Sequence, residues 1–335
     1  MRHILVDATP IQPGPSGART RLEALLPRLA ARLPDDLFEV HWAVDGDPVS
    51  AQVHADNVVH ATVDVSCRGG GRRWLRVSRH LRRRHREAAF THLLVDHGPP
   101  VLMDRVRVIV QVHDLRFLHG YAGWWRRLYA KTLYPSRLRD AAAVVTVSPS
   151  VAEEATQVFG LDPARVHVAA NGVDGAFTPP VAPTSRAGAL VVARDEPRKA
   201  RGAAVQAARD AGLPLEVVEG GRSRAELIER YQRARWLLAP SLDEGFDLPV
   251  VEALACGTPV VASSIPAHRD LLELGAEGLV LVAKPHGGIG RWSWTEAVEV
   301  LRGPLPEVVR PPAASWDRAA AVVARAIQDE PSASA

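Results

Sequence analysis

The chain has 335 residues, of which 47% are hydrophobic and 24% charged, and its formal net charge is +3. This is a globular composition, long enough that two domains are expected rather than one core. No apolar run reaches the roughly 18 residues of a membrane span, and two cysteines, Cys67 and Cys256, give neither a disulfide framework nor a metal-ligand spacing.

The first residues, Met1-Arg2-His3-Ile4-Leu5-Val6-Asp7, read as a buried strand and are too poor in apolar residues for a signal peptide. A reducing cytoplasm is the expected location. From there short β-rich runs alternate with longer helical patterns. Strands are predicted at residues 4–7, 38–43, 92–96, 106–112, 142–147 and 166–169, then at 189–193, 215–218, 236–240, 259–262 and 278–282. Helices are predicted at 21–33, 150–158, 198–211, 223–235 and 249–255. Such alternation means parallel sheets covered by helices on both faces. A proline-rich stretch at 178–184 interrupts the pattern and reads as a linker. The expected division is a first domain over 1–177, a linker over 178–187, a second domain over 188–312, a terminal helix over 313–329 and a tail over 330–335.

The small net charge conceals an asymmetry. Residues 1–175 hold 23 Lys and Arg against 18 Asp and Glu, whereas the remainder holds 18 against 20. The excess concentrates between Arg68 and Arg86, where nine arginines occur with no acid. Trp74, Leu75, Val77 and Leu81 are interleaved with them, a basic amphipathic pattern over 72–86 (Arg72 to Arg86) suited to an anionic membrane surface. Gly123-Trp124-Trp125-Arg126-Arg127-Leu128-Tyr129 adds aromatic and cationic residues to the same half. The competing reading is a solvated helix face. A nucleic-acid binder would also use such a run, but no recognition-helix or stacking-sheet motif accompanies it, and nucleic acid is not expected as a partner. Trp292 and Trp294 are read as packing.

In doubly wound sheets ligands bind beyond the carboxyl ends of the strands. The polar residues there are His113 and Asp114, Ser148, Asn171, Arg198 and Lys199, and Glu244. Glu244 follows the strand at 236–240, and Glu252 comes eight positions later. Between them Pro249 suits the first position of a helix and Gly257 the residue past its end. One carboxylate is thus expected on a strand-to-helix loop and the other in the first helical turn. The helix N-terminus between them is a seat for a phosphate. Glu252 also stands among apolar and small residues, where a charge needs a partner or a ligand.

These motifs together resemble the retaining glycosyltransferases of family 4, which have the GT-B fold: two Rossmann-like doubly wound domains facing across a cleft. The resemblance is carried by Glu244…Glu252 running into Ala-Cys-Gly-Thr-Pro-Val-Val and by Val147-Ser148-Pro149-Ser150. Asn171-Gly172-Val173-Asp174, Val112-His113-Asp114-Leu115, Glu196-Pro197-Arg198-Lys199 and Ser315-Trp316-Asp317 also carry it. It covers nearly the whole chain. It departs at Ser16 and Arg19, where the glycines of a Gly-Gly-x-Gly loop around Gly17 would stand, and at Ala193, where a glycine would precede the phosphate-binding loop.

The resemblance implies transfer of a hexosyl unit from a nucleoside-diphosphate sugar to a hydroxyl of a glycan, lipid-linked or small-molecule acceptor. It implies Glu244 and His113 at the sugar and Glu252 on the ribose. Arg198 and Lys199 would hold the diphosphate, with Phe246, Asp247, Leu248, Gly17, Arg19, Asn171, Ser148 and Arg194 completing the donor site. No essential metal or other cofactor is expected. Rival readings are a sugar-nucleotide epimerase of the same fold and a homologue that binds donor with little turnover. A cytoplasmic protein, peripheral on the inner leaflet, is the expected setting.

Overall fold

The computed structural model describes residues 1–14, 16–46, 54–68, 70–96, 101–120, 132, 134–181, 185–219, 223–288, 291–309 and 314–329. The stretch 123–129, part of the linker and the tail at 330–335 lie outside them. The chain divides into two compact units, Met1–Ala170 with Trp316–Ala335, and Asn171–Ser315. Residues 171–177 group with the second unit, whereas the sequence assigns them to the first.

The first unit is built on a seven-stranded sheet of β1 (His3–Asp7), β2 (Leu37–Ala43), β3 (Val58–Val63), β4 (His92–Val95), β5 (Arg107–Val112), β6 (Ala143–Thr146) and β7 (Val166–Val168). Their spatial order is β3-β2-β1-β4-β5-β6-β7 and every pairing is parallel. The central strands are runs of Val, Ile and Leu because helices cover both faces of a parallel sheet. Ile4, Leu5 and Val6 are fully buried. The sequence gives no sign of β3. As an edge strand it has only Val63 buried and leaves Val59 exposed, so no apolar run marks it.

Helix Gly17–Arg32 begins four residues before the predicted start, because Ser16 caps it by accepting a hydrogen bond from the Arg19 amide at 3.2 Å. Helix Trp316–Gln328 belongs to this unit and lies beside Gly17–Arg32, where Arg28 Nε is 3.4 Å from the Asp317 carboxylate. Its Ala319, Ala320, Val323 and Ile327 are buried.

The arginine-rich stretch is one helix, Gly70–Glu87. Val77 and Leu81 face the core and Trp74 is half-buried, with the Arg137 guanidinium 4.8 Å over its ring. Of the apolar residues interleaved with the arginines only Leu75 is exposed. The amphipathic pattern therefore reflects packing onto the first unit, and the solvent keeps a stripe of Arg72, Arg76, Arg79, Arg83 and Arg86.

The second unit has five parallel strands, β8 (Ala187–Val192), β9 (Leu215–Val218), β10 (Ala234–Ala239), β11 (Val260–Ser263) and β12 (Leu279–Val282), in the order β12-β11-β10-β8-β9. Helix Arg201–Ala211 packs an alanine stripe, Ala203, Ala204, Ala207 and Ala208, against Trp236 and Trp294 in its core. Gly202 is required there: a Cβ would come within 2.6 Å of the Trp292 ring. Trp292 and Trp294 are packing residues, as the sequence reading has them. A short hairpin of β13 (His286–Gly288) and β14 (Arg291–Ser293) was not foreseen; its three-residue strands are too short to carry a pattern.

Candidate active site

In the second unit the strand order reverses between β8 and β10, with β9 on one side and β11 and β12 on the other. Loops leaving the carboxyl ends of β8 and β10 diverge at such a point and open a ligand crevice. The loop after β8 holds a 3-10 turn, Pro197–Lys199. The loop after β10 carries Glu244 and leads into helix Leu248–Ala255. The two loops are tied by the Leu242 amide donating to the Arg198 carbonyl at 2.7 Å and by Arg198 Nη1 donating to the Asp243 carbonyl at 3.2 Å.

Three sequence-predicted residues meet here. Glu244 Oε1 lies 2.8 Å from Arg198 Nη1 and 2.5 Å from Lys199 Nζ. Glu196 pairs with Arg198 on its other side at 2.9 Å. Burial works against the charge of Lys199, but Asp247 and Glu244 outweigh it and raise its pKa above the usual lysine value. Arg194 lies exposed in the loop before the turn.

Asp247 precedes the helix with φ 71, a left-handed conformation that costs a residue with a Cβ about 1–2 kcal/mol. Its side chain is held instead of capping the helix: Oδ1 lies 3.4 Å from Lys199 Nζ and Oδ2 3.0 Å from His268 Nε2. Burial opposes ionisation of Asp247, yet Lys199 and the His268 bond together hold its carboxyl well below the usual range. Phe246 beside it is buried in the loop.

The helix starts at Leu248, one residue before the predicted Pro249, so Glu252 falls in its second turn and not its first. Glu252 Oε2 accepts a hydrogen bond from the Tyr231 hydroxyl at 3.0 Å. Tyr231 is fully buried on helix Arg224–Arg233. Burial pushes the Glu252 carboxyl up to about 7, with Asp247 adding to the shift and the Tyr231 bond opposing it. Asn171 is buried in the same unit, and Asp174 of the same motif pairs with Arg224 at 3.0 Å.

The remaining predicted residues belong to the first unit. His113 follows β5, and its Nε2 stands 3.4 Å from Asp96 Oδ1. Asp96 is fully buried and also accepts from Gln111 Nε2 at 3.0 Å, while Gln111 Oε1 accepts from Arg21 Nε at 2.7 Å. Arg21 is itself fully buried, and burial lowers its pKa to about 10 although Asp96 opposes the shift. Ser148 is the N-cap of helix Pro149–Phe159, its hydroxyl accepting from the Val151 amide at 3.3 Å. Gly17 opens its helix, and Arg19 Nε is paired with Glu23 at 2.8 Å. Serine at position 16 thus has a capping role that a glycine there would fill less well.

Sequence reasoning missed Asp96, Gln111, Arg21, Tyr231 and His268. Asp96 ends a predicted strand, which was a usable signal; the others stand inside strands or helices, where nothing local marks them.

A profile described as Glycosyltransferase Family 4 matches residues 22–177, and one described as Glycosyl transferases group 1 matches residues 175–288. The chain belongs to the family 4-type glycosyltransferases. The chain has the GT-B fold of two parallel-sheet α/β domains. It is similar to sucrose-phosphate synthase from Thermosynechococcus elongatus, with a TM-score of 0.69 and 16% identity over 98% of this chain and 97% of that one. It is also similar to HepE of Anabaena in complex with UDP and glucose, with a TM-score of 0.66 and 17% identity over 97% and 95% of the two chains. In sequence it is 27% identical over 205 residues to D-inositol 3-phosphate glycosyltransferase of Mycobacterium sp. (strain KMS), covering 49% of this chain and 46% of that protein. The chain spans half or less of the length of the curated relatives it matches.

Proposed function

We propose that this chain transfers a hexosyl unit, with retention of anomeric configuration and without an essential metal, from a nucleoside-diphosphate sugar to an acceptor hydroxyl. The observation that carries the reading is the cluster of Arg198, Lys199 and Glu244 at the strand-order reversal of the second unit. Breaking the anomeric C–O bond builds positive charge on the sugar and negative charge on the diphosphate. Fixed cations aimed at the leaving group stabilise that state. Arg198 and Lys199 take this role, helped by backbone N–H groups at the start of helix Leu248–Ala255. Glu244 receives the sugar hydroxyls and Glu252 the ribose hydroxyls. His113 serves the sugar, with Asp96 3.4 Å from its Nε2 to orient the ring. The UDP held by HepE supports a nucleotide donor.

The acceptor is a glycan, a lipid-linked sugar or a small molecule. The exposed arginine stripe of helix Gly70–Glu87 supports an anionic surface as the setting, so that the protein works at the inner face of a membrane. Among the described residues no helix is long and apolar enough to cross one.

Calorimetry against a panel of nucleotide sugars tests the donor assignment. One preferred donor is expected, with its affinity largely lost in Glu252→Ala. Failure of every nucleotide sugar to bind, or equal binding by the variant, would remove it. Analysis of products with an acceptor present separates transfer from epimerisation.

A further inference from the structure

Behind the cluster stands a second pair, Asp247 and His268, to which sequence and resemblance assign no joint task. His268 is fully buried. Its Nδ1 is 2.7 Å from the Ser263 carbonyl oxygen. A carbonyl only accepts, so Nδ1 carries a hydrogen. Its Nε2 is 3.0 Å from Asp247 Oδ2, and that carboxylate also only accepts when ionised. Nε2 therefore carries a hydrogen too. A ring that donates from both nitrogens is an imidazolium, and its charge faces a carboxylate.

The other oxygen of Asp247 lies 3.4 Å from Lys199 Nζ. Asp247 is thus shared between two cations, one in the interior and one at the crevice. Its charge is compensated on one side by His268. Without that compensation the whole carboxylate charge would fall on Lys199 and cancel it. The backbone agrees with a side chain retained for its charge: an aspartate holds φ 71 before a helix that it does not cap.

Resting on the phosphate-binding role proposed above for Lys199, we infer that His268 is a positioning residue for the diphosphate: its imidazolium neutralises Asp247, so that Glu244 is the anion a ligand must displace from Lys199. His268 acts through Asp247, by charge and not by contact with the ligand. Further charged groups near Asp247 are Arg198, Glu252 and Glu244, which shares Lys199 with it; Arg198 favours the ionised form of Asp247, and Asp247 in turn raises the Glu252 carboxyl.

Charge compensation makes an unusual prediction, since a second substitution should repair the first. Inorganic pyrophosphate is the probe, and its dissociation constant is measured by calorimetry for the intact chain and its variants. The intact chain is expected to bind, and Lys199→Ala to lose binding. His268→Gln, which keeps a hydrogen-bond donor but not the charge, should weaken binding about tenfold. Asp247→Asn/His268→Gln should recover to within about twofold of the intact chain, because the anion that His268 compensated is gone. Asparagine tolerates the left-handed backbone, so the change is conformationally quiet. A role in packing alone would make the double variant at least as weak as His268→Gln, and that result overturns the inference. So does wild-type affinity in His268→Gln. If His268→Gln does not fold, Asp247→Asn alone decides: tighter pyrophosphate binding than the intact chain supports the inference and weaker binding ends it. An intact chain that binds no pyrophosphate at all removes the phosphate seat itself, a failure distinct from the others.

Discussion

Glu244 Oε1 and Lys199 Nζ lie 2.5 Å apart, so the carboxylate assigned to the sugar is paired with the cation assigned to the diphosphate. The site is neutral by internal pairing. A diphosphate would compete with Glu244 for Lys199 and release the carboxylate toward the sugar. Binding and activation of Glu244 are then a single exchange of partners.

Glu244→Ala should therefore affect turnover more than donor binding. The donor dissociation constant is expected to stay within about threefold, while kcat falls by about 100-fold or more. Steady-state kinetics beside calorimetry check this. Equal losses in both would leave Glu244 without a role in the transition state.

Glu252 predicts a pH dependence. Its carboxyl is raised from 4.5 to about 7 in the folded chain, chiefly by burial. The unfolded chain releases that proton first, so stability falls as pH rises through this window, by at most about 3 kcal/mol. The ribose contact proposed for Glu252 needs the carboxylate, so donor binding should move the opposite way, strengthening as pH rises through about 7. Glu252→Gln should be more stable than the intact chain above that window and no more stable below about pH 4. Thermal melts at the two pH values and donor titrations across the window measure both trends; flat profiles contradict them.

Tyr231→Phe removes the hydroxyl that donates to Glu252 at 3.0 Å. That bond lowers the carboxyl pKa, so its loss should move the midpoint of donor binding to higher pH. The stability cost is about 1 kcal/mol. An unmoved midpoint would show that Tyr231 only packs.

Arg84 holds Glu39 through two bonds of 2.7 Å each, joining helix Gly70–Glu87 to β2. Burial works against the Glu39 charge, but the Arg84 and His41 bonds prevail and lower its carboxyl from 4.5 to about 2. This stabilisation is present above the unfolded value and is lost as pH falls through about 2. Arg84→Met leaves Glu39 buried without its main partner and should cost about 3 kcal/mol near neutrality. Denaturant melts should show the difference shrinking in acid.

The exposed stripe of Arg72, Arg76, Arg79, Arg83 and Arg86 predicts binding to anionic vesicles that salt abolishes. Co-sedimentation with phosphatidylglycerol vesicles at low salt should retain the chain. Arg76→Glu/Arg79→Glu/Arg83→Glu should release it, and so should replacement by neutral vesicles. No binding at low salt rejects the membrane setting.

Much of this was legible in the chain itself. All eleven predicted strands lie within two residues of observed ends because a parallel strand buried on both faces must be a short run of Val, Ile, Leu or Ala; the largest offsets are at 189–193 and 236–240, each of which starts two residues late. Arg198, Lys199 and Glu244 could be singled out because they follow strands, where polar residues gather at a crevice. Ser148 and Ser16 show the limit of that rule, since a polar residue at a strand-to-helix junction is also what caps a helix.

The sequence by itself determined the alternation of strands and helices, the restart after the linker and the loops that carry the cationic and acidic groups, since each depends on local pattern and spacing. The tertiary structure decided which charges meet. Tyr231 and Glu252 are 21 positions apart, as are Asp247 and His268, and Arg21 reaches Gln111 across 90. Such pairs form only when separate strands and helices converge in a low-dielectric interior, where an ionised group needs a partner that no local motif announces.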